Sequence, residues 1–198
     1  MEIFIQGGPV MYPLLLCSVI TGAIIIERSL FWMRLRNTVQ PDHISRLCRQ
    51  MIHERESLSP ETNADVVARV LYKGVTSSRA EASLEMQQAA TREMDSMLQY
   101  LGVLSTMVSL APLLGIFGTV LGIIESFNVL GDMSNLDPVA ATGGLAQALV
   151  TTAFGLAIAM PSLIAYKIFY NKASKLQHQI VTGCTQLEVC LGLAEPAG

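Results

Sequence analysis

The sequence predicts an all-α membrane protein with three transmembrane helices, two of which extend into a cytoplasmic helical bundle. Two features of the 198 residues lead to this fold class. Their mean hydropathy is +0.45, and only 15% of them are charged, whereas about a quarter is typical of soluble domains. The charges also leave three long uncharged runs, which are Ile3–Ile26, Ser96–Ile124 and Pro138–Tyr166.

Each uncharged run is long enough to cross a bilayer, because about 20 apolar residues in a helix span the hydrocarbon core. We predict transmembrane helices at Val10–Ile26, Ser105–Ile124 and Leu145–Tyr166. Buried helices of a soluble core are the alternative, but such helices rarely stay uncharged for so long. The first run lacks the basic start and the small-residue cleavage pattern of a signal peptide, so we expect a retained helix.

The basic residues predict the orientation of the three helices. All 13 of them lie between the first and second helices or after the third, whereas the loop 125–137 contains only acidic charges. By the positive-inside rule, both basic segments face the cytoplasm. The N-terminus and the loop 125–137 are therefore expected outside, and the C-terminus inside.

This orientation divides the chain into six segments. They are an outer N-terminus with the first span (1–26), a cytoplasmic helical segment (27–100), the second span (101–124), an outer loop with a helix start (125–144), the third span (145–166), and a cytoplasmic helix with its tail (167–198). Turn and capping residues predict helix starts at Pro41 and at Pro60. From Pro60 the apolar spacing predicts an unbroken helix that runs into the second span, and the third span is expected to continue as a helix to Leu191.

Small residues recur along the second and third spans. Gly118 and Gly122 form a GxxxG pair, and Ala111 and Gly115 have the same spacing on either side of Pro112. The third span has a similar stripe, formed by Gly144, Ala148, Thr152 and Gly155. Small residues let helix backbones approach closely in lipid, so both stripes predict helix packing. The glycine-rich string lacks the Lys-Ser/Thr ending of a phosphate loop.

The polar residues inside the spans allow two interpretations. The candidates are Thr119 in the second span, and Gln147, Thr151 and Thr152, which lie nearest the middle of the third. A threonine in a helix can bond a carbonyl one turn earlier and simply help the helices to pack. Polar side chains in a span also face protein or water rather than lipid, so the same residues can form the polar lining of a lumen between subunits.

Two segments resemble the signature helices of the MotA/TolQ/ExbB proton-channel family. They are APLLGIFGTVLGIIESF (111–127) and GGLAQALVTTAFGLAIAMPSLIAYKIFYN (143–171), and the three-span topology resembles the ExbB/TolQ branch. The resemblance implies a homopentamer in the bacterial inner membrane, around an ExbD/TolR-like single-span partner that carries an intramembrane Asp. A TonB/TolA-like protein is a further implied partner. The resemblance also implies that Thr119 and Thr152 line the proton path. Gln147 falls where better-known ExbB members have a glutamate.

The implied function is that of a subunit in a proton-driven motor that works on a periplasmic or outer-membrane system, such as biopolymer or siderophore import. No Asp, Glu, Lys, Arg or His lies inside the three predicted spans. Threonine and glutamine bind water but do not exchange protons near pH 7, so we expect a partner carboxylate to complete the path. The alternatives are a non-energised membrane scaffold and a solute transporter, and three spans show no inverted repeat for the latter.

Other classes of function find no support in the sequence. The three histidines are isolated and the four cysteines have no CxxC spacing, so we expect no catalytic site, metal site or cofactor. A net charge of −3 does not suit nucleic-acid binding. Membrane lipid is the expected surrounding of the three spans.

Overall fold

The computed structural model describes residues 7–35, 66–131 and 138–193. Every regular element in these ranges is a helix, and the five helices are α1 (Met11–Arg34), α2 (Val66–Thr76), α3 (Ala82–Leu98), α4 (Leu101–Gly131) and α5 (Pro138–Cys190). Three segments are long and apolar enough to cross a membrane, namely Met11–Arg34, Ala82–Val129 and Thr142–Cys190. They cover the three predicted spans except for Val10, so the prediction of an all-helical protein with three candidate membrane spans is confirmed. The cytoplasmic helical bundle stays a prediction. The helix starts predicted at Pro41 and Pro60 lie outside the described residues.

The chain divides into two compact units. The first consists of Met1–Arg28 and Tyr100–Ile168. Its core is formed where α1, α4 and α5 bring buried residues together, which are Val10, Met11, Leu14, Cys17, Met107, Ala111, Ile158 and Ala159. The α1 members recur every three or four residues, so they lie on one face of that helix. All of the predicted site residues belong to this unit.

The second unit consists of Ser29–Gln99 and Phe169–Gly198. In it, α2 buries the apolar residues that the periodicity of the sequence predicted, which include Val67, Val70, Leu71 and Val75. A Cβ at Gly183 of α5 would lie 3.3 Å from Cγ1 of Val67. Polar contacts add to this packing, because Arg69 binds Glu93 with two hydrogen bonds of 2.8 and 3.1 Å.

The unbroken helix predicted before the second span is wrong at two places. The first break separates Thr76, where α2 ends, from Ala82, where α3 begins. At the end of α2 the Lys73 carbonyl accepts both the Ser77 N–H at 3.2 Å and the Ser77 hydroxyl at 2.7 Å. The second break is at Tyr100, which has a φ of +63° and is the first residue before α4. A left-handed residue ends a right-handed helix.

In contrast, α5 is one helix of 53 residues, as predicted for the segment that follows the third span. Pro161 lies inside it and has no N–H, so the carbonyl of Ala157 loses its usual donor. The next residue, Ser162, donates its hydroxyl to the Ile158 carbonyl at 2.6 Å. The predicted apolar stripe of α5 is buried at Leu176, Ile180 and Leu187.

Candidate functional site

The small residues of α4 and α5 face each other in direct backbone contact. A Cβ at Gly155 would lie 2.6 Å from the carbonyl oxygen of Ala111 and 3.2 Å from Cα of Gly115. A Cβ at Gly115 would lie 3.1 Å from Cα of Thr152. Real Cβ atoms essentially never approach backbone as closely as 2.6 Å, so Gly155 has no room for a side chain, and Gly115 leaves only a tight space for one.

The contact continues toward the far ends of the two helices. A Cβ at Gly122 would lie 3.0 Å from Cβ of Ala148, and one at Gly144 would lie 2.6 Å from the Gly122 carbonyl oxygen. Ser126 extends the small-residue stripe of α4 by one more turn, and its buried hydroxyl donates to the Gly122 carbonyl at 2.9 Å. The sequence analysis did not include Ser126, although its spacing of four from Gly122 was a signal for it.

Thr119 and Thr152 bind neighbouring carbonyls on α4. The Thr152 hydroxyl crosses between the helices and donates to the Gly115 carbonyl at 3.1 Å. The Thr119 hydroxyl donates within its own helix to the Ile116 carbonyl at 2.5 Å. Both threonines are partly exposed. The structure therefore brings these two hydroxyls to adjacent peptide units of one helix.

Thr151 lies on a different face of α5 from Thr152. It is 0% exposed and its hydroxyl donates to the Ala148 carbonyl at 2.8 Å, within its own helix. A Cβ at Gly118 would lie 2.6 Å from Cβ of Thr151, so this threonine fills the space that Gly118 leaves open. Within one chain, Thr151 is thus a packing residue between the two helices.

Gln147 lies one helical turn before Thr151, on the same side of α5, at the level where α1 begins. Its side chain contacts Gly8, because a Cβ at Gly8 would lie 2.9 Å from the Gln147 side-chain amide carbon. Gln147 precedes Thr152 by five positions, which corresponds to about 7.5 Å along the axis of α5. Gln147 is partly exposed.

Pro112 introduces a break in the ladder of α4, one residue after the crossing point at Ala111. Proline has no N–H, so the carbonyl of Val108 lacks its usual helical donor. In α1, the hydroxyl of Thr21 is buried without a hydrogen-bond partner, although Thr21 is only 4% exposed. The sequence analysis did not single out Thr21.

Arg28 is buried at the end of the first predicted span. It is 1% exposed, and its guanidinium donates hydrogen bonds of 2.5 and 2.7 Å to the Glu27 carboxylate. The guanidinium carbon also lies 5.4 Å from the centre of the Tyr100 ring, within the range of a cation–π contact. The left-handed conformation of Tyr100 costs on the order of 1–3 kcal/mol, and the cation–π contact with Arg28 joins this residue to α1.

Among the described residues, no group of three or more His, Cys, Asp or Glu side chains is placed to hold a metal ion. The polar groups that the described site residues offer are hydroxyls, one amide and backbone carbonyls. Such groups bind and orient water or the side chain of another protein, and they do so without a change in charge.

Comparisons with known proteins agree with the motifs in these helices. Residues 62–182 match the MotA/TolQ/ExbB proton channel family. The chain is 30% identical to the ExbB-like 1 protein of Synechocystis over 94% of this chain and 76% of that protein. It is 27% identical to the biopolymer transport protein ExbB of Salmonella typhimurium, over 81% of this chain and 71% of the relative. The Tol-Pal system protein TolQ of Pseudomonas aeruginosa is 28% identical over 67% of this chain and 62% of its own length.

Proposed function

The chain belongs to the MotA/TolQ/ExbB proton channel family, and on this premise we propose that it is the ExbB/TolQ-like subunit of a proton-driven motor complex. Its surroundings are the bacterial inner membrane, which it crosses several times. The observation that carries the proposal is the threonine pair, since the Thr119 and Thr152 hydroxyls bind the adjacent carbonyls of Ile116 and Gly115. This pair gives one helix a polar, water-binding strip inside an otherwise apolar segment.

The proposed complex is a homopentamer that encloses an ExbD/TolR-like single-span partner. Many large apolar side chains of α4 are exposed in the single chain, among them Leu113, Phe117 and Phe127, and lipid or further copies would cover them. A TonB/TolA-like protein would receive the work on the outer side. The cargo is a biopolymer or siderophore system, as in the relatives named for biopolymer transport, or a Tol-Pal system.

The proposed proton path is lined by Thr119, Thr152 and Gln147, with Thr151 supporting the wall from inside the helix pair. Threonine and glutamine order water but do not take up charge, so the proton rests on the partner's intramembrane carboxylate. Protonation removes the charge of that carboxylate, and a neutral side chain passes from a polar to a less polar wall at a smaller desolvation cost. Proton flow would in this way be coupled to relative motion of the two proteins.

Reconstitution in liposomes tests this function. We expect the protein alone to assemble but to carry little proton current, whereas addition of the single-span partner restores a current that Asp→Asn in the partner abolishes. The readout is an internal pH-sensitive dye with a potassium diffusion potential as driving force. Rapid acidification with this chain alone would make the partner a plug and not the proton carrier. If the complex is active in cells but never conducts protons in liposomes, the result would favour the alternative function, a non-energised membrane scaffold.

The proposed orientation places the N-terminus in the periplasm and the C-terminus in the cytoplasm. It can be tested with single cysteines at Asn128 and Ser78, both of which are exposed, after Cys17, Cys48, Cys184 and Cys190 are replaced. An impermeant thiol reagent applied to intact spheroplasts should label position 128 and leave position 78 unmodified until the membrane is permeabilised. The reverse pattern of labelling would contradict the orientation.

A further inference from the structure

A short turn precedes α1, and its backbone is fixed by the first helical turn. We call residues 7–10 the Gly8 turn. The Gly8 carbonyl accepts the Met11 N–H at 3.1 Å, and the Val10 carbonyl accepts the Leu14 N–H at 3.3 Å. Gly8 itself has a φ of +65°, a conformation that glycine adopts at no steric cost. The Gly8 turn therefore has a defined position at the start of the helix.

The side-chain amide of Gln147 lies directly against this turn. A Cβ at Gly8 would lie 2.9 Å from Cδ of Gln147 and closer still to its Nε2. The positive φ selects glycine at this position, and a Cβ there would displace the Gln147 amide, which is the flexible end of its side chain. Gly7, the neighbouring residue, is packed in a different way, because a Cβ there would meet the side chain of Met11.

We propose that Gly8 is a positioning residue, which fixes the Gln147 amide at the outer end of the proton path. This inference rests on the proposed function and deepens it. An amide offers two donors and an acceptor, so its position determines where water from outside can join the chain of polar groups that leads to Thr152. A side chain at position 8 would push the amide away from that place while the glycine contacts between α4 and α5 remain intact.

The experiment compares Gly8→Ala with two double variants in the complete complex with its single-span partner. We expect Gly8→Ala to assemble and to lower proton flux in liposomes about threefold to tenfold, the effect of one mispositioned hydrogen-bonding group. Combining it with Gln147→Asn shortens the amide side chain, makes room for the new methyl group and should restore most of the flux. Combining it with Gln147→Ala makes the same room without an amide and should restore packing but not flux.

Two glycines in the chain provide matched controls. Gly192 has nearly the same φ, +66°, and a Cβ there would lie 2.7 Å from the end of the Arg79 side chain. Because Gly192 lies outside the proposed path, Gly192→Ala measures the combined effect of conformational strain and a displaced side-chain end away from that path. Gly22 lies within α1 and has no atom within 4 Å of a Cβ, so Gly22→Ala measures the effect of a methyl group in open space. Both variants should conduct protons like the wild type.

Equal flux in the two double variants would overturn the inference, because it would show that the amide at position 147 has no role beyond packing against position 8. Unchanged flux in Gly8→Ala would also overturn it. A thermal double-mutant cycle between positions 8 and 147 tests the contact without any proton flux, and additive effects would show that the two residues do not interact. If the proposed function itself is wrong, the result is different, because the wild-type complex would then carry no partner-dependent current.

Discussion

Gly144→Leu should prevent α4 and α5 from forming a stable pair. A Cβ at this position would already lie 2.6 Å from the Gly122 carbonyl oxygen and 3.1 Å from the Ser126 backbone nitrogen. These are backbone atoms of a packed helix and cannot move aside as a flexible side chain can. We expect a loss of at least about 3 kcal/mol in the free energy of unfolding, at the upper end of the usual cost of overpacking.

The neighbouring residue offers a matched control. Gly143 lies in the same helix, and a Cβ there has no atom within 4 Å. Leucine at either position gives the same gain in helix propensity and hydropathy, so any difference between the variants comes from the space around the residue. Thermal unfolding and size-exclusion chromatography of the protein in detergent measure the outcome. Equal stability of Gly143→Leu and Gly144→Leu would contradict the backbone contact.

Thr152→Val should abolish most of the proton-driven flux while the complex still assembles. Valine keeps the volume of threonine but cannot donate to the Gly115 carbonyl, which Thr152 contacts at 3.1 Å. It also removes one of the two hydroxyls on which the proposed path depends. We expect a decrease in flux of about tenfold or more, since losing one polar group from a path in an apolar surrounding costs about 1–3 kcal/mol.

The adjacent Thr151→Val variant is the control for this change. Thr151 is 0% exposed and donates within its own helix, so valine would keep its packing against Gly118 and leave flux close to that of the wild type. Flux is measured in liposomes with the partner present, and assembly is checked by co-purification. If Thr151→Val lowers flux more than Thr152→Val does, the assignment of the two threonines is wrong.

The spanning helices could be predicted because bilayer burial requires long uncharged segments, and the sequence displays these directly. The glycine stripes could be found for a similar reason, since only small residues allow two backbones to touch in lipid. The sequence could not show which face of α5 packs against α4 and which face stays exposed. Thr151 and Thr152 are neighbours in the chain but lie about 100° apart around the helix axis, and only the packing of α5 on α4 decides which of them is enclosed.

Two contacts outside the signature helices also escaped the sequence analysis. Gly8 is separated from Gln147 by most of the chain, and no local pattern reports such a distant contact. The break at Tyr100 has neither a glycine nor a proline at the site to indicate it. Its left-handed conformation accompanies the cation–π contact with Arg28, an interaction that depends on tertiary structure and that no local sequence pattern reports.

The break at Tyr100 has a consequence for the rotational phase of α4. In a continuous helix, one inserted residue turns everything that follows by about 100°. Because α4 begins afresh at Tyr100, with the Leu104 N–H donating to the Tyr100 carbonyl at 3.0 Å, its phase is set by its own first turn. Lengthening or shortening α3 by a residue would therefore leave the direction of the Gly115 and Gly122 face unchanged, and the membrane helices would stay paired.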